Sequence, residues 1–148
     1  MKEGITMKVK DVMTTNVISI APNESAAVAA RLLSRFNVGA LPVCTKDGRL
    51  RGMVTDRDIV LRCVAADDDA QTVKVSDIMT RHIFSVNAEE SIQNASALMA
   101  RQQIRRLPVE DGGKLVGMVS LGDVAKLHDY SMEAAEALSE ISMNTKKL

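Results

Sequence analysis

The stretch LPVCTKDGRLRGMVTDRDI (41–59) decides the fold, and the chain repeats its pattern as LPVEDGGKLVGMVSLGDV (107–124). In each copy two apolar runs flank a turn that contains glycine, which is typical of a β-hairpin. The second run ends in GMV, a hydroxyl residue and, three places later, an aspartate. Each copy therefore predicts a strand, a turn, a second strand and a helix that begins at the hydroxyl residue.

The similarity continues upstream of the hairpins. KVKDVMTTNVISIAPNESAAVAARLLSRFNVGALPV (8–43) aligns with KVSDIMTRHIFSVNAEESIQNASALMARQQIRRLPV (74–109) at an offset of 74 − 8 = 66 residues. NVISI and HIFSV alternate apolar with polar residues and predict a strand, and the following segment has helical periodicity. We expect Pro22 at the first helical position in copy one, and Asn87 with Glu90 as the cap in copy two. The predicted buried faces are Ala29, Leu32, Leu33 and Phe36, and Ile92, Ala95, Leu98 and Met99.

The order β-α-β-β-α, present twice, predicts an α/β (α+β) protein made of a duplicated module. Repeat one is predicted over residues 8–66, an acidic linker over 67–73 and repeat two over 74–128. SMEAAEALSEIS (131–142) predicts one further amphipathic helix within a C-terminal segment, 129–148. Each repeat is short for a domain that folds by itself, so we expect the two repeats to pack together.

Bulk composition excludes several classes of function. The 148 residues carry no net charge and only 2% aromatic residues, which argues against nucleic-acid binding. No apolar run approaches the length of a membrane span, so no membrane partner is expected. Cys44 and Cys63 lie in apolar runs outside any C-x-x-C spacing. We therefore expect buried, reduced thiols in a cytoplasmic protein.

The hydroxyl and the aspartate at each strand-to-helix corner allow two interpretations. Thr55 and Asp58 in copy one, like Ser120 and Asp123 in copy two, have capping-box spacing, and capping alone would explain them. Alternatively, amide groups at a helix start attract an anion, while an aspartate beside them accepts hydrogen bonds from sugar hydroxyls. The second interpretation suits a ribonucleotide.

These residues resemble the CBS domain family, named after cystathionine β-synthase. D-V-M-T, L-P-V and the terminal G-h-x-[T/S]-x-x-D recur in order in both copies, from about residue 8 to 127. The chain looks most like small stand-alone bacterial proteins that consist of one CBS pair. The resemblance implies a pseudo-twofold pair with two clefts that hold adenosine nucleotides (AMP, ADP or ATP) or S-adenosylmethionine-like compounds, and no required cofactor.

The resemblance also implies the site residues. Asp58 and Asp123 would hold the ribose, and Thr55 and Ser120 would reach the phosphate. The base pocket would be lined by Thr15, Asn16 and Val17, and by Arg81, His82 and Ile83. The other wall would be formed by Val38, Gly39 and Ala40 in copy one, and by Ile104, Arg105 and Arg106 in copy two.

The two copies differ in charge at the predicted clefts. Arg105 and Arg106 replace Gly39 and Ala40, and they are either surface ion-pair partners or phosphate ligands, whose guanidinium forks suit phosphate oxygens. The second cleft is therefore the better candidate for a di- or triphosphate. The first has less charge unless Arg57 turns inward. Copy two has Leu121-Gly122 where copy one has Asp56-Arg57, which makes its helix start more flexible.

The sequence gives little support for catalysis. His82 and His128 have no carboxylate or cysteine at ligand or triad spacing, and no P-loop, zincin or nucleophile-elbow motif is present, so neither an enzyme nor a metal site is expected. Two function classes remain: a regulatory sensor of adenosyl ligands, or a structural interaction protein that binds no nucleotide. Because CBS pairs commonly dimerise through their helices, and AAVAARLL (26–33) offers a small-residue face, we expect a disc-like homodimer.

Overall fold

The computed structural model describes residues 7–127 and 131–145 of the chain, and His128 lies outside them. Its helices and strands follow the predicted order, except that within the described residues no strand precedes the first helix and a short helix that was not predicted opens repeat two. They are α1 Ala26–Phe36, β1 Ala40–Cys44, β2 Leu50–Thr55, α2 Asp56–Ile59, α3 Val75–Ile78, β3 Val86–Asn87, α4 Ile92–Gln102, β4 Arg106–Asp111, β5 Lys114–Ser120, α5 Leu121–Ala125 and α6 Ser131–Thr145. A 3-10 turn, Val9–Asp11, precedes α1, and a π-helical segment, Val60–Val64, continues α2.

The chain forms two compact units, and each takes its leading segment from the other repeat. One unit, called here the first-repeat unit, consists of residues 18–83 and 113–115. The other, the second-repeat unit, consists of residues 1–17, 84–112 and 116–148, of which the structure describes 7–17, 84–112, 116–127 and 131–145. The segment that opens repeat one therefore belongs to the unit of repeat two, and the segment that opens repeat two belongs to the unit of repeat one.

In the first-repeat unit, β1 and β2 form an antiparallel hairpin in which Ala40 lies opposite Thr55. A single parallel bridge joins Ile20 to Val43 on the outer side of β1, and an antiparallel bridge joins Thr80 to Met53 on the outer side of β2. The predicted strand NVISI is thus reduced to one bridging residue. Its hydrophobic core is formed by Ile20, Ala26, Ala29, Leu33, Leu41, Val43, Val54, Ile59, Cys63, Val75, Ile78 and Met79.

In the second-repeat unit, the sheet order is β3-β4-β5, with β3 parallel to β4. Thr14 extends this sheet through a bridge to Met118, as Thr80 does in the other unit. Helix α6 packs against α4 and α5 and places Ala134, Ala137 and Ile141 in the core. The remaining buried members of this core are Val9, Val86, Ala88, Ile92, Ala95, Met99, Leu107, Val109, Val119, Leu121 and Val124.

An ion-pair cluster fastens the leading segment of the chain to the second-repeat unit. Lys8 Nζ lies 2.7 Å from Glu89 Oε1, and Lys10 Nζ lies 2.8 Å from Glu89 Oε2. The hydrogen bonds from Lys10 and Lys8 lower the pKa of Glu89 to about 2. The amide of Val9 also donates to Glu90 O at 2.8 Å. The segment is therefore held by backbone bonds as well as by charge.

The predicted helix starts need correction. Helix α1 begins at Ala26 rather than at Pro22, because the Ser25 hydroxyl accepts the amide of Val28 at 3.2 Å and so serves as the N-cap. Pro22 lies in the preceding turn, where its carbonyl accepts the amide of Ser76. A serine also caps α4.

In the second copy the capping residue is Ser91, whose hydroxyl accepts the amide of Asn94 at 3.1 Å. Asn87 and Glu90 do bond to each other, with Asn87 N donating to Glu90 Oε1 at 3.3 Å, but they stabilise the turn before the helix. Both copies therefore use a serine one residue before the helix, which recurs at the repeat offset. The capping role of these two serines was not predicted.

The buried faces of the long helices were predicted correctly except at Phe36. Ala29 and Leu33 are buried in α1, and Ile92, Ala95 and Met99 are buried in α4, while Leu32 and Leu98 are half-buried. Phe36 is 43% exposed, because the core beneath α1 ends at Leu33 and its ring instead lies under the Arg35 guanidinium, 5.7 Å from the ring centroid.

The acidic segment predicted as a linker is hydrogen-bonded to the first-repeat unit. The Ala27 amide donates to Ala70 O at 2.9 Å, and the Ala26 amide donates to Val73 O at 2.8 Å. The segment therefore covers the start of α1. Cys44 and Cys63 are free and buried, and burial raises the pKa of the Cys44 thiol, against the opposing effect of a hydrogen bond with Ser19.

Candidate functional site

Each compact unit carries a strand-to-helix corner with the predicted capping box. At the first corner, Thr55 Oγ1 accepts the Asp58 amide at 3.0 Å and Asp58 Oδ2 accepts the Thr55 amide at 3.0 Å. At the second, Ser120 Oγ accepts the Asp123 amide at 3.0 Å and Asp123 Oδ2 accepts the Ser120 amide at 2.9 Å. The capping interpretation is thus correct for both copies.

A bridging residue from the other repeat lies beside each corner. The amide and carbonyl of Thr80 exchange hydrogen bonds with Met53, at 2.8 and 2.9 Å, and bring Arg81, His82 and Ile83 to the first corner. The corresponding exchange between Thr14 and Met118, at 2.8 and 2.9 Å, brings Thr15, Asn16 and Val17 to the second corner. The predicted base-pocket segments therefore each accompany the aspartate of the other repeat.

The predicted second wall also meets each corner. The carbonyl of Gly39 accepts the Asp56 amide at 3.0 Å, and the carbonyl of Arg105 accepts the Leu121 amide at 3.0 Å. The structure thus gathers Gly39, Ala40, Thr55, Arg57, Asp58, His82 and Ile83 in one unit, and Thr15, Val17, Arg105, Arg106, Ser120 and Asp123 in the other. Each set contains a carboxylate, a hydroxyl and an apolar residue.

The carboxylate at the first corner is engaged by a third residue that the sequence prediction missed. Thr80 Oγ1 lies 3.2 Å from Asp58 Oδ1 and 3.3 Å from Oδ2, and Asp58 is only 6% exposed. Both of its oxygens therefore have protein partners. The signal available in the sequence was the threonine of D-I-M-T, which recurs in both copies as Thr14 and Thr80.

At the second corner the carboxylate is more open. Asp123 is half-buried, and its Oδ1 accepts no hydrogen bond from any described residue. In particular, the side chain of Thr14 does not bond to it as Thr80 bonds to Asp58. Oδ1 is therefore able to accept a hydroxyl group from a ligand. The same motif thus contains one aspartate, Asp58, that accepts hydrogen bonds at both oxygens, and one, Asp123, that accepts a hydrogen bond from the described residues at Oδ2 alone.

The expectation that free amides at the helix starts hold an anion is wrong for the first corner. The amides of Asp56, Arg57 and Asp58 donate to Gly39 O, Asp56 Oδ1 and Thr55 Oγ1. At the second corner the amides of Leu121 and Asp123 are likewise bonded. An anion at the first corner would therefore have to be held by side chains.

The cations predicted to reach phosphate are exposed. Arg105 and Arg106 form no ion pair in the part of the chain that the structure describes, so the surface ion-pair alternative finds no partner for them there. Arg57 at the first corner is also exposed rather than turned inward. Leu121, which is buried, stands at the position that Asp56 occupies in copy one. The second corner therefore has one acidic group fewer than the first.

Neither a metal centre nor a membrane-spanning helix is found in the described part of the chain. Over residues 7–127 and 131–145, no three His, Cys, Asp or Glu side chains are grouped so that they could hold a metal ion. No helix in those residues is both long and apolar enough to cross a bilayer.

Two β-α-β-β-α repeats, each ending in a hydroxyl–aspartate capping box, define a tandem α/β module. The family model described as "CBS domain" matches residues 9–65 and 75–129, and the chain belongs to this family. CBS domain-containing protein YhcV of Bacillus subtilis (strain 168) is 48% identical over 134 residues, which cover 90% of this chain and 94% of that protein. The family and the fold class predicted from the sequence are confirmed.

Solved structures extend the similarity to ligand complexes. The crystal structure of Hypoxic Response Protein I with two coordinated zinc ions has a TM-score of 0.74 at 37% identity, over 81% of this chain and 98% of that chain. CBSX2 in complex with AMP has a TM-score of 0.69 at 30% identity, over 80% and 93%. A CBS domain pair in complex with 5-methylthioadenosine and S-adenosyl-L-methionine has a TM-score of 0.70 at 27% identity, over 84% and 98%.

Proposed function

We propose that the protein is a non-catalytic sensor that binds an adenosine nucleotide or a related adenosyl compound at the corner between β5 and α5. The observation that carries this proposal is Asp123 Oδ1, which lies beside Ser120 and accepts no hydrogen bond from any residue that the structure describes. A carboxylate oxygen of this kind accepts hydrogen bonds from ribose hydroxyls, and charge-assisted bonds are the stronger class. Related CBS structures that hold AMP, or S-adenosyl-L-methionine with 5-methylthioadenosine, support the ligand class.

The phosphate would be held by side chains. Arg105 is tied to the first turn of α5 through its carbonyl, and both it and Arg106 are exposed without an ion-pair partner in the described residues. Guanidinium groups bind phosphate oxygens in a bidentate manner, so a di- or triphosphate gains more from this pair than a monophosphate does. Thr15 and Val17, carried alongside by the Thr14 bridge, would contact the base.

We further propose that the corner of the first repeat contributes to the fold and that the chain binds one such ligand. A ribose at Asp58 would have to replace the Thr80 hydroxyl, and a ligand cannot easily approach a carboxylate that is 6% exposed. The equivalent residues at the first corner would then bind no ligand. They are Thr55, Arg57, Gly39, Ala40, His82 and Ile83.

A second candidate is an interaction module without a nucleotide. It is favoured by the capping boxes, because both aspartates already serve the backbone. In either case we propose that the protein self-associates as a homodimer, and the prediction of a cytoplasmic location remains a hypothesis.

Thermal unfolding with AMP, ATP and S-adenosylmethionine tests the sensor. A ligand at about one hundred times its Kd stabilises the native state by about 2.7 kcal/mol, which raises the Tm of a chain of this size by about 5–10 °C. Adenine and ribose 5-phosphate are the matched ligand controls. Absence of any rise with all three compounds at millimolar concentration would favour the interaction module.

A pair of matched variants tests the location of the site. In Asp123→Asn the ligand-induced rise in Tm should be lost while the Tm without ligand changes little. In Asp58→Asn the Tm without ligand should fall and the ligand-induced rise should persist. The opposite pattern of Tm values would place the binding site at the first corner.

A further inference from the structure

Helices α4 and α6 of the second-repeat unit enclose a cavity of about 280 Å³, which we call the α4/α6 cavity. Ser96 and Ala137 form its floor, since both are buried and the other residues that line it are more exposed. Three glutamates of α6 line one side, namely Glu133, Glu136 and Glu140. They follow one another at i, i+3 and i+7, which places them along one flank of the helix. The cavity therefore combines a buried floor with an acidic wall.

Two polar atoms that line this cavity are buried without a partner. Ser96 is 4% exposed, and its Oγ forms no hydrogen bond with any described residue. The same holds for Glu133 Oε2, so these two side chains do not bond to each other. Buried polar groups in proteins are nearly always paired, because an unpaired group loses its bonds to water without replacement. The cavity therefore offers a hydroxyl and a carboxylate oxygen to a donor from outside the chain.

The second copy makes room for a ligand with small residues on α4. Ala97 and Ala100 line the cavity at positions where copy one has Arg31 and Ser34. A methyl group in place of the arginine side chain leaves space beside α6 and gives this wall an apolar surface. An aliphatic chain suits such a surface, because removing methylene groups from water is favourable.

The charge of the lining selects a cation. Among the described residues that line the cavity, three carboxylates face one cation, Arg101, so the formal charge is 1 − 3 = −2. A metal ion does not fit, because no three acidic side chains of the described residues are grouped closely enough to hold one. Along the helix axis, Glu136 lies about 4.5 Å from Glu133 and about 6 Å from Glu140, from a rise of about 1.5 Å per residue. Carboxylates spaced in this way suit several ammonium groups along one chain.

We propose that the α4/α6 cavity binds a linear aliphatic polyamine. One ammonium group donates to Ser96 Oγ and Glu133 Oε2, and the other ammonium groups pair with the two outer glutamates. The methylene groups between them lie against the alanines of α4. An ammonium group has three donors and no acceptor, which matches oxygen atoms that lack a donor. The inference depends neither on nucleotide binding nor on self-association.

Isothermal titration calorimetry of the full chain with spermidine, in the absence of nucleotide, tests this site. Spermidine should bind the unaltered protein at a single site. Glu133→Gln should weaken binding about tenfold in Kd, the size of one charge-assisted hydrogen bond, and E136Q/E140Q should weaken it further. Ala97→Arg introduces the residue of copy one and should abolish binding, because it fills the cavity and adds a like charge.

Matched controls separate this site from a general attraction of cations to the protein. E24Q/D68N removes as many negative charges as E136Q/E140Q does, from exposed positions of the first-repeat unit, and should leave binding unchanged. Butylamine and magnesium chloride at equal ionic strength should bind far more weakly than spermidine, because neither carries several ammonium groups on one chain. Circular dichroism shows whether each variant is folded, and the substitutions at residues 97, 136 and 140 alter exposed positions.

Three results would overturn the polyamine site. They are equal binding of spermidine and the control cations, unchanged binding in folded E136Q/E140Q and Ala97→Arg, and a crystal grown with spermidine that has only water between Ser96 and Glu133. None of these results bears on the shifts in Tm that adenosyl ligands induce, so the two proposals fail separately.

Discussion

The two corners share a motif and a capping geometry, yet their aspartates have different surroundings. Asp58 is buried and accepts hydrogen bonds from Thr55 N and Thr80 Oγ1, whereas Asp123 is half-buried and accepts only Ser120 N among the described residues. The difference arises from a single hydroxyl contributed by the other repeat. A T/S-x-x-D motif therefore indicates a capped corner, and its neighbours decide whether the carboxylate remains available.

The largest expected effect is on stability at the first corner. Asp58→Ala should lower the free energy of unfolding by about 3 kcal/mol, because it removes a cap and leaves partly buried donors of Thr55 and Thr80 unpaired. Asp123→Ala should cost about 1 kcal/mol, the usual value of a cap. Urea unfolding of both variants measures the difference.

Two threonine variants sharpen this comparison. Thr80→Val should cost about 1 kcal/mol by removing the hydrogen bond to Asp58. Thr14→Val, at the same position in the other copy, should change stability by only a few tenths of a kcal/mol. Equal losses in the two aspartate variants, or in the two threonine variants, would show that the corners are equivalent.

An intermediate effect is expected where α6 covers α4. Ser96 is 4% exposed and its Oγ has no hydrogen-bond partner among the described residues, while the equivalent residue of the other copy, Ala30, is exposed. Ser96→Ala should raise the free energy of unfolding by about 1 kcal/mol, since an unpaired buried hydroxyl is removed. Ala30→Ser is the matched control and should be close to neutral. A loss of stability in Ser96→Ala would mean that the hydroxyl is paired in solution.

The smallest expected effect concerns the ends of the long helices. Asn37 after α1 and Gln103 after α4 both have left-handed backbones, with φ of 52° and 61°. Asparagine tolerates this conformation better than glutamine does. Gln103→Asn should therefore stabilise by about 0.5 kcal/mol, and Asn37→Gln should destabilise by a similar amount, as measured by chemical unfolding. Opposite signs would assign a stabilising role to the bond from Gln103 Nε2 to Ala100 O.

Local patterns in the sequence predicted the hairpins, the corners and the C-terminal helix, because turn residues and capping spacings act over a few positions. The shift from Pro22 to Ser25 was missed because two local start signals competed, and only the repeat offset distinguishes them. The exposure of Phe36 depends on where the core ends, which helical periodicity does not encode. The bond from Thr80 to Asp58 joins residues 22 positions apart across the repeat boundary, so no local rule could reveal it.

The exchanged leading segments have a consequence for synthesis on the ribosome. Thr14 completes a sheet through Met118, which is translated 118 − 14 = 104 residues later. At about 5–20 residues per second, the start of the chain must wait roughly 5–20 s for its partner strand to emerge. During that interval Val9 and its neighbours have no core to enter, which makes the nascent N-terminal segment a natural place for a chaperone to bind.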